Sequence, residues 1–283
     1  MENIIAEKKN RVGYIILNRP DKMNCFSDAL WQELSDTLDE FAAAEDVRCI
    51  VLKGNGKCFS SGWDISARIP PLHPLKDLED WRWRTNQINT VMWKVWDCPK
   101  PVIGQIHGYC LGGACDLAMV CDLTYAARSA RFGEPEVFHN SHPPFEIMPW
   151  LVGMKKAKEY LLLGEHFSAE EAERVGIINH AIDDDKLDET VTAVAEKLVK
   201  NPTMAIKMNK LSINKTYEIS GFRNAIQMGG EAFAMTLSYE TPEGRKFNYI
   251  KEHEGMKAAF NWRSAYYGGD PTATLDIPED DNK

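Results

Sequence analysis

HGYCLGGACDLAMVCD, residues 107–122, decides the reading of this chain. The run before it, Pro101-Val102-Ile103-Gly104-Gln105-Ile106, reads as a β-strand, and Leu117 to Val120 reads as buried. Between them stand Gly108, Gly112 and Gly113, with Asp116 just beyond. A turn and a carboxylate thus interrupt a place that apolar packing would fill with larger side chains. Gly113 falls near the start of a helix, where backbone N–H groups lack intrahelical acceptors and the helix dipole favours negative charge. Glycine also lets a ligand approach the backbone closely. The stretch fits half of an oxyanion hole. It fits equally well two glycines that merely permit close packing.

Working outward, Val12 to Leu17 is a β-rich run stopped by the turn Asn18-Arg19-Pro20-Asp21. Ser27 opens a helical pattern carried by Leu30, Leu34, Leu38 and Phe41. Cys49 to Leu52 is a further strand, closed by Gly54-Asn55-Gly56. A proline-rich stretch from Ile69 to Leu75 leads to a helix with Ile88, Val91, Met92 and Val95 on one face, and Leu123 to Ala126 reads as a strand. From Lys155 the pattern is helical apart from Ile177 to Ile182. Ser168-Ala169-Glu170-Glu171 forms a capping box and Gly176 a helix stop. After Asn201-Pro202 only helices follow, to about Arg263. These patterns predict an α/β core over residues 1–200 and a helical region over 201–283, with a frayed acidic end from Pro278 to Lys283.

Composition narrows the classes. The chain has 283 residues, 44% of them hydrophobic, and a formal net charge of −9, which argues against a general nucleic-acid footprint. Seven cysteines without CxxC pairs or zinc-like spacing read as reduced thiols. No run of about 18 apolar residues is present for a membrane span, and the N-terminal residues lack signal-peptide character. The expectation is a cytoplasmic protein.

A second glycine-containing turn, Cys58-Phe59-Ser60-Ser61-Gly62-Trp63-Asp64-Ile65, follows the strand at 49–52. Its Trp63 N–H supplies a second candidate donor, and two such turns after different strands can converge on one oxygen.

With these residues in view, the chain resembles the crotonase superfamily, the enoyl-CoA hydratases and isomerases. The resemblance is carried by Asn18-Arg19-Pro20-Asp21-Lys22-Met23-Asn24, by Phe59 to Ile65, and by Lys100 to Gly104 through Gly113 to Ala118. It continues in Cys121-Asp122-Leu123, Phe132-Gly133-Glu134-Pro135-Glu136 and Ser168 to Asn179, in the family's order over nearly the whole chain. It implies a spiral of repeated ββα units with a C-terminal trimerisation region, assembled as a homotrimer or hexamer. It also implies an acyl-CoA thioester substrate, with no cofactor beyond the coenzyme A of the substrate, no metal, no nucleic acid and no membrane.

The resemblance further implies that the N–H groups of Trp63 and Gly113 bind the thioester oxygen as an enolate forms. Asp116 matches the first catalytic carboxylate, usually glutamate in hydratases, and Glu136 matches the second. One acid can move a proton at carbon while the other activates water. Dienoyl-CoA isomerases share the aspartate and carry a third acid eight residues past the second. Pro144 stands there in this chain, and Glu146 lies two residues later. Residues 137–146 also lack the glycine-rich stretch typical of hydratases. Because histidine ordinarily titrates near neutrality, His139 and His142 are candidate proton shuttles or ordinary loop residues.

Trp63 and Trp81 are candidate walls of the acyl pocket, suited to a cyclic or branched group, whereas Trp93 and Trp96 fit core packing. Ser61, Asp64 and Ile65 are candidates for contact with coenzyme A. Arg19, Lys22 and Arg263 are candidate partners of its phosphates. The functions that follow are hydration of an enoyl-CoA, double-bond isomerisation, hydrolytic opening of a cyclic β-keto acyl-CoA, and non-catalytic coenzyme A-dependent binding.

Overall fold

A computed structural model describes residues 2–65 and 75–277. The proline-rich stretch 69–75, apart from Leu75, and the acidic end 278–283 lie outside the described residues.

The first part of the chain runs β1 (Ile4–Lys9), β2 (Val12–Leu17), α1 (Asp28–Ala43), β3 (Cys49–Gly54), α2 (Leu78–Asp97) and β4 (Val102–Ile106). Then come β5 (Tyr109–Leu111), α3 (Gly113–Val120), β6 (Leu123–Ala127), β7 (Arg131–Gly133), α4 (Met148–Leu151) and α5 (Met154–Leu163). The chain closes with β8 (Phe167–Ser168), α6 (Ala169–Val175), β9 (His180–Ile182), α7 (Leu187–Lys200), α8 (Thr203–Ile219), α9 (Phe222–Ser238), α10 (Pro242–His253) and α11 (Met256–Tyr267).

One sheet has the order β1-β2-β3-β4-β6-β9, with β1 antiparallel to β2 and every later pair parallel. A three-stranded sheet, β5-β7-β8, stands apart from it. Parallel strands are buried on both faces, which explains why β3 and β4 carry almost no exposed residue. Side chains alternate between faces. Ile50 and Leu52 therefore enter the main core beneath α1, α2 and α3, while Cys49 and Val51 meet Leu187, Val191 and Ala195 of α7 on the other face.

Caps stand where the sequence predicts them. Ser27 Oγ accepts from Leu30 N–H at the start of α1, and Ser168 Oγ accepts from Glu171 N–H at the start of α6. The predicted strand at 177–182 begins only at His180. Ile177 and Ile178 donate their N–H groups to Ala172 O in the closing turn of α6, and the Asn179 side chain accepts from Thr124 N–H.

The C-terminal helices pack on the α/β part by specific contacts. Lys210 Nζ of α8 donates to Val95 O and Asp122 Oδ2, and Asn214 donates to Trp96 O. Phe222 of α9 stacks on Trp96 with ring centres 4.4 Å apart, and Trp93 packs edge-on against Phe145 and Phe222. Both tryptophans are packing residues. The sheet ends and the two glycine turns meet beneath α2 and α9.

Candidate active site

Two turns form the floor of the site. Asn24, fully buried, sends its side-chain amide to Asn55 O and Cys58 O and accepts from Arg19 N–H, tying the first turn to the second. Ser61 N–H donates to Met23 O and Leu111 N–H to Ser60 O, so residues 59–63 lie directly on β5. Gly62 has φ +85°, and a Cβ there would lie 2.5 Å from Leu111 O and 3.6 Å from Gly113 N. Only a bare backbone allows this approach. It brings Trp63 and Gly113 to one place. Among the described residues neither the Trp63 nor the Gly113 N–H has a backbone acceptor. Gly113 is the first residue of α3, so its N–H is free by position.

Three carboxyl groups converge beside these donors. Asp116, in the first turn of α3, is 1% exposed, and neither of its oxygens has a hydrogen-bond donor among the described residues. Burial, then the charges of Glu136 and Glu146, raises its pKa well above the ordinary carboxylate range. Glu136 follows Pro135 in a short 3-10 turn at 135–139 that leaves β7, and its Oε2 is also buried without a donor. Burial raises its pKa above the ordinary carboxylate value, and the charge of His142 offsets only part of that rise. Glu134, 1% exposed, is the third.

Motif reading passes over Glu134, because an acid between Gly133 and Pro135 looks like a loop charge. Only the packing of β7 against β5 and α3 turns it inward. Among the described residues no group of three or more His, Cys, Asp or Glu side chains is arranged to hold a metal ion.

Glu146 does join the cluster. Its charge acts on Asp116, and its Oε2 lies 3.5 Å from His142 Nε2. That partner raises the proton affinity of His142 despite its burial. His139 points elsewhere. Its ring faces Phe247, Phe260 and the Arg263 guanidinium, and burial beside that cation lowers its pKa to about 3. It stays neutral near pH 7 and stands away from the three acids.

The coenzyme A candidates divide in the same way. Arg19 donates to Cys25 O and pairs with Asp64 at 3.2 Å, so both serve the turn. Ser61 and the partly exposed Ile65 lie on the same loop, and Lys22 is exposed nearby. Arg263 turns inward over the Phe260 ring at 4.7 Å, and burial lowers its pKa to about 10. Trp63 packs edge-on against Trp31 and Phe26, with the Arg84 guanidinium over its ring. Trp81 is half-buried in the first turn of α2.

Comparison with known proteins fits this geometry. The family model described as enoyl-CoA hydratase/isomerase matches residues 7–258. The chain belongs to the enoyl-CoA hydratase/isomerase family. It is 31% identical to the short-chain-enoyl-CoA hydratase of Clostridium acetobutylicum, over 91% of this chain and 98% of that one. It is 34% identical to the mitochondrial enoyl-CoA hydratase of Pongo abelii, over 94% and 88% of the two chains. The crystal structure of an enoyl-CoA hydratase/isomerase from Xanthobacter autotrophicus Py2 superposes with a TM-score of 0.89, at 31% identity, covering 93% of this chain and 98% of that one. The fold is the mixed α/β crotonase fold with C-terminal helices. Among the described residues no helix is long and apolar enough to cross a membrane.

Proposed function

We infer that this protein adds water across the α,β double bond of an enoyl-CoA thioester. The observation that carries the reading is the convergence of two N–H groups, at Trp63 and Gly113, that have no backbone acceptor among the described residues, beside the buried acids Asp116 and Glu136. The named relatives support it, since both are enoyl-CoA hydratases.

The chemistry follows from the unequal environments of the two acids. Burial raises the pKa of both, but less at Glu136, which the charge of His142 favours as the base in its ionised form. Glu136 takes a proton from water as the oxygen adds to the β carbon, and the double-bond electrons move onto the thioester oxygen. The Trp63 and Gly113 N–H groups hold that enolate oxygen, each donor contributing about 3 to 4 kcal/mol at the transition state. Asp116, kept protonated by burial, delivers its proton to the α carbon. The product is the β-hydroxyacyl thioester, and the protons gained and lost by the two acids re-equilibrate afterwards.

Glu146 favours one second reading. An acid that acts on Asp116 from the 140s segment gives the cluster a further proton relay, as an isomerase shifting a double bond requires. Opening of a cyclic β-keto thioester uses the same enolate as leaving group. Incubation with crotonyl-CoA and with a cyclic enoyl-CoA separates these readings. Loss of conjugated thioester absorbance with a hydroxyacyl product supports hydration. A conjugated product from a β,γ-unsaturated thioester supports isomerisation. Tight coenzyme A binding without turnover of either would overturn the enzymatic reading in favour of a binding protein.

The same reading assigns residues 1–200 to the spiral core with the acyl-CoA site, and 201–283 to assembly as a trimer or hexamer and to part of the coenzyme A site. Met204, Met208, Leu211, Ile213 and Ile219 of α8 leave an apolar surface exposed on the single chain. Sedimentation tests it: a stable monomer at micromolar concentration rejects the assembly.

A further inference from the structure

Glu136 stands on a turn whose far end is gripped by the C-terminal helices. That turn closes at Asn140, with φ +49° and ψ +50°, a left-handed conformation that asparagine adopts more readily than most residues. The Asn140 and Ser141 N–H groups both donate to Glu136 O, the second at 3.1 Å. These bonds set the shape of the turn. They do not set where it sits against the glycines of α3.

The Asn140 side chain supplies that anchor. Its Nδ2 donates to Thr236 O and to Tyr239 O, each at 2.9 Å. Both carbonyls lie at the C-terminal end of α9, where helix carbonyls run out of intrahelical donors. The helix stops there, and Thr241 caps the start of α10. One side-chain amide thus commits both of its N–H donors to the junction of α9 and α10. Its neighbours reach the same region. Phe138 packs on Tyr267 of α11 with ring centres 4.9 Å apart, and His139 meets the Arg263 guanidinium. Earlier in α9, a Cβ at Gly229 would stand 3.2 Å from the Glu146 Cβ. One helix therefore seats both the turn of Glu136 and the segment of Glu146.

We propose that Asn140 is a positioning residue for Glu136: its side-chain amide ties the turn to the α9–α10 junction and so holds the carboxylate against Gly112. Glu136 Oε1 fills the space that a Cβ at Gly112 would need, so a turn free to swing would carry the carboxylate away from its place beside the Gly113 N–H. Asn140 itself needs no contact with substrate. Glycine in its place would keep the backbone conformation and lose the tie. Aspartate would keep the size, yet turn an acceptor toward two carbonyl oxygens. The catalytic consequence rests on the hydration reading; the tie does not.

The test compares the full-length protein with Asn140→Gly and Asn140→Asp. On crotonyl-CoA both should lose on the order of ten- to a hundredfold in kcat, because small displacements of a reacting group carry penalties of that size. KM should stay within about twofold, and N140D should be the slower variant. Hydrogen exchange followed by mass spectrometry needs no turnover. In both variants the peptides covering 135–142 and 236–241 should exchange severalfold faster than in the wild type, while those of β3 and β4 stay unchanged. Near-wild-type kcat with a loosened turn would overturn the positioning role. Unchanged exchange over 135–142 would show that other contacts hold the turn, and would overturn the tie. A KM that rises as steeply as kcat falls would mark general damage and likewise reject the assignment. If the wild type hydrates no thioester, the hydration reading fails, and exchange alone decides whether Asn140 holds the turn. Should N140G not fold, N140D carries both comparisons.

Discussion

The Glu136 carboxylate occupies the space that a side chain at Gly112 would need. A Cβ at Gly112 would stand 2.4 Å from Glu136 Oε1, and the residue has φ +57°. The turn that exposes the Gly113 N–H is thus also the surface against which the base rests. Gly112→Ala should strain the turn and push the carboxylate aside. Since small displacements of a reacting group carry large rate penalties, kcat should fall on the order of a hundredfold. Coenzyme A affinity, measured by calorimetry, should change little. A parallel loss of affinity would mean that the whole turn had collapsed.

Asp116→Asn and Glu136→Gln keep shape and remove the proton-handling group. Each should lower kcat by two or more orders of magnitude, in line with general acid–base contributions of about 10²–10⁴, while KM stays near the wild-type value. Steady-state kinetics on the thioester that proves to be turned over checks both. A variant with near-wild-type kcat removes that residue from the mechanism.

The buried acids also make stability depend on pH. Asp116 binds its proton more tightly in the folded chain than in the unfolded one. Its neutral form carries no penalty below the ordinary carboxylate range, and stability falls as pH rises through and above that range. Asp116→Asn lifts this burden. Its Tm should exceed that of the wild type at pH 8 by roughly 3 °C or more, with the gap closing toward pH 4. A gap independent of pH would show that Asp116 is already ionised in the folded protein. Such gains from neutralising a site residue are the usual sign of stability given up for function.

Much of this was legible in the sequence, and the reasons are local. The caps Ser27 and Ser168 announce themselves by spacing alone, whereas Gly113 and Asp116 stand out as a glycine turn and a carboxylate at a helix start and take their candidate roles from the family resemblance. β1 escapes because Ile4-Ile5-Ala6-Glu7-Lys8-Lys9 loses its apolar character after two residues, and pairing with β2 supplies the rest. β5 and β7 are too short to show a period. Glu134 escapes for a different reason: its burial comes from distant elements, which no neighbouring residue encodes, whereas Glu146 stands out in the sequence by its place after Pro144. Arg263 looked like a phosphate partner and instead faces His139, because the packing of α10 on α11 turns it inward.

The three basic candidates should therefore behave differently. Lys22 is exposed near the first turn, so Lys22→Ala should raise KM for an acyl-CoA severalfold and leave kcat nearly unchanged. Arg19 binds Cys25 O and Asp64, so Arg19→Ala should lower kcat and thermal stability together. Arg263→Ala should act mainly on stability through the loss of its ring contacts. Equal KM effects in all three would point to a shared phosphate site and away from these separate roles.

Trp63 carries two separable contributions. Its backbone N–H belongs to the turn, whose shape is set by Gly62 and by the hydrogen bonds from Phe26 and to Phe26. Its indole packs with Phe26 and Trp31 at ring-centre distances of 5.5 and 4.8 Å. The indole Nε1 is buried without an acceptor among the described residues, and lies 2.5 Å from where a Gly113 Cβ would be. The ring thus stands as a wall immediately beside Gly113. Trp63→Ala should spare the N–H and remove the wall. Truncating a large aromatic in a packed cluster typically costs about 3 to 5 kcal/mol, and this partly exposed ring should fall at or below that range in denaturant titration. Substrate choice should shift as well, with bulky or cyclic enoyl-CoA thioesters losing more kcat/KM than crotonyl-CoA, because only they fill the space that the indole bounds. Trp63→Phe should restore most of the stability and part of the selectivity. If every thioester falls by the same factor in Trp63→Ala, the indole serves the Phe26–Trp31 cluster alone, and the acyl group must be read by other residues.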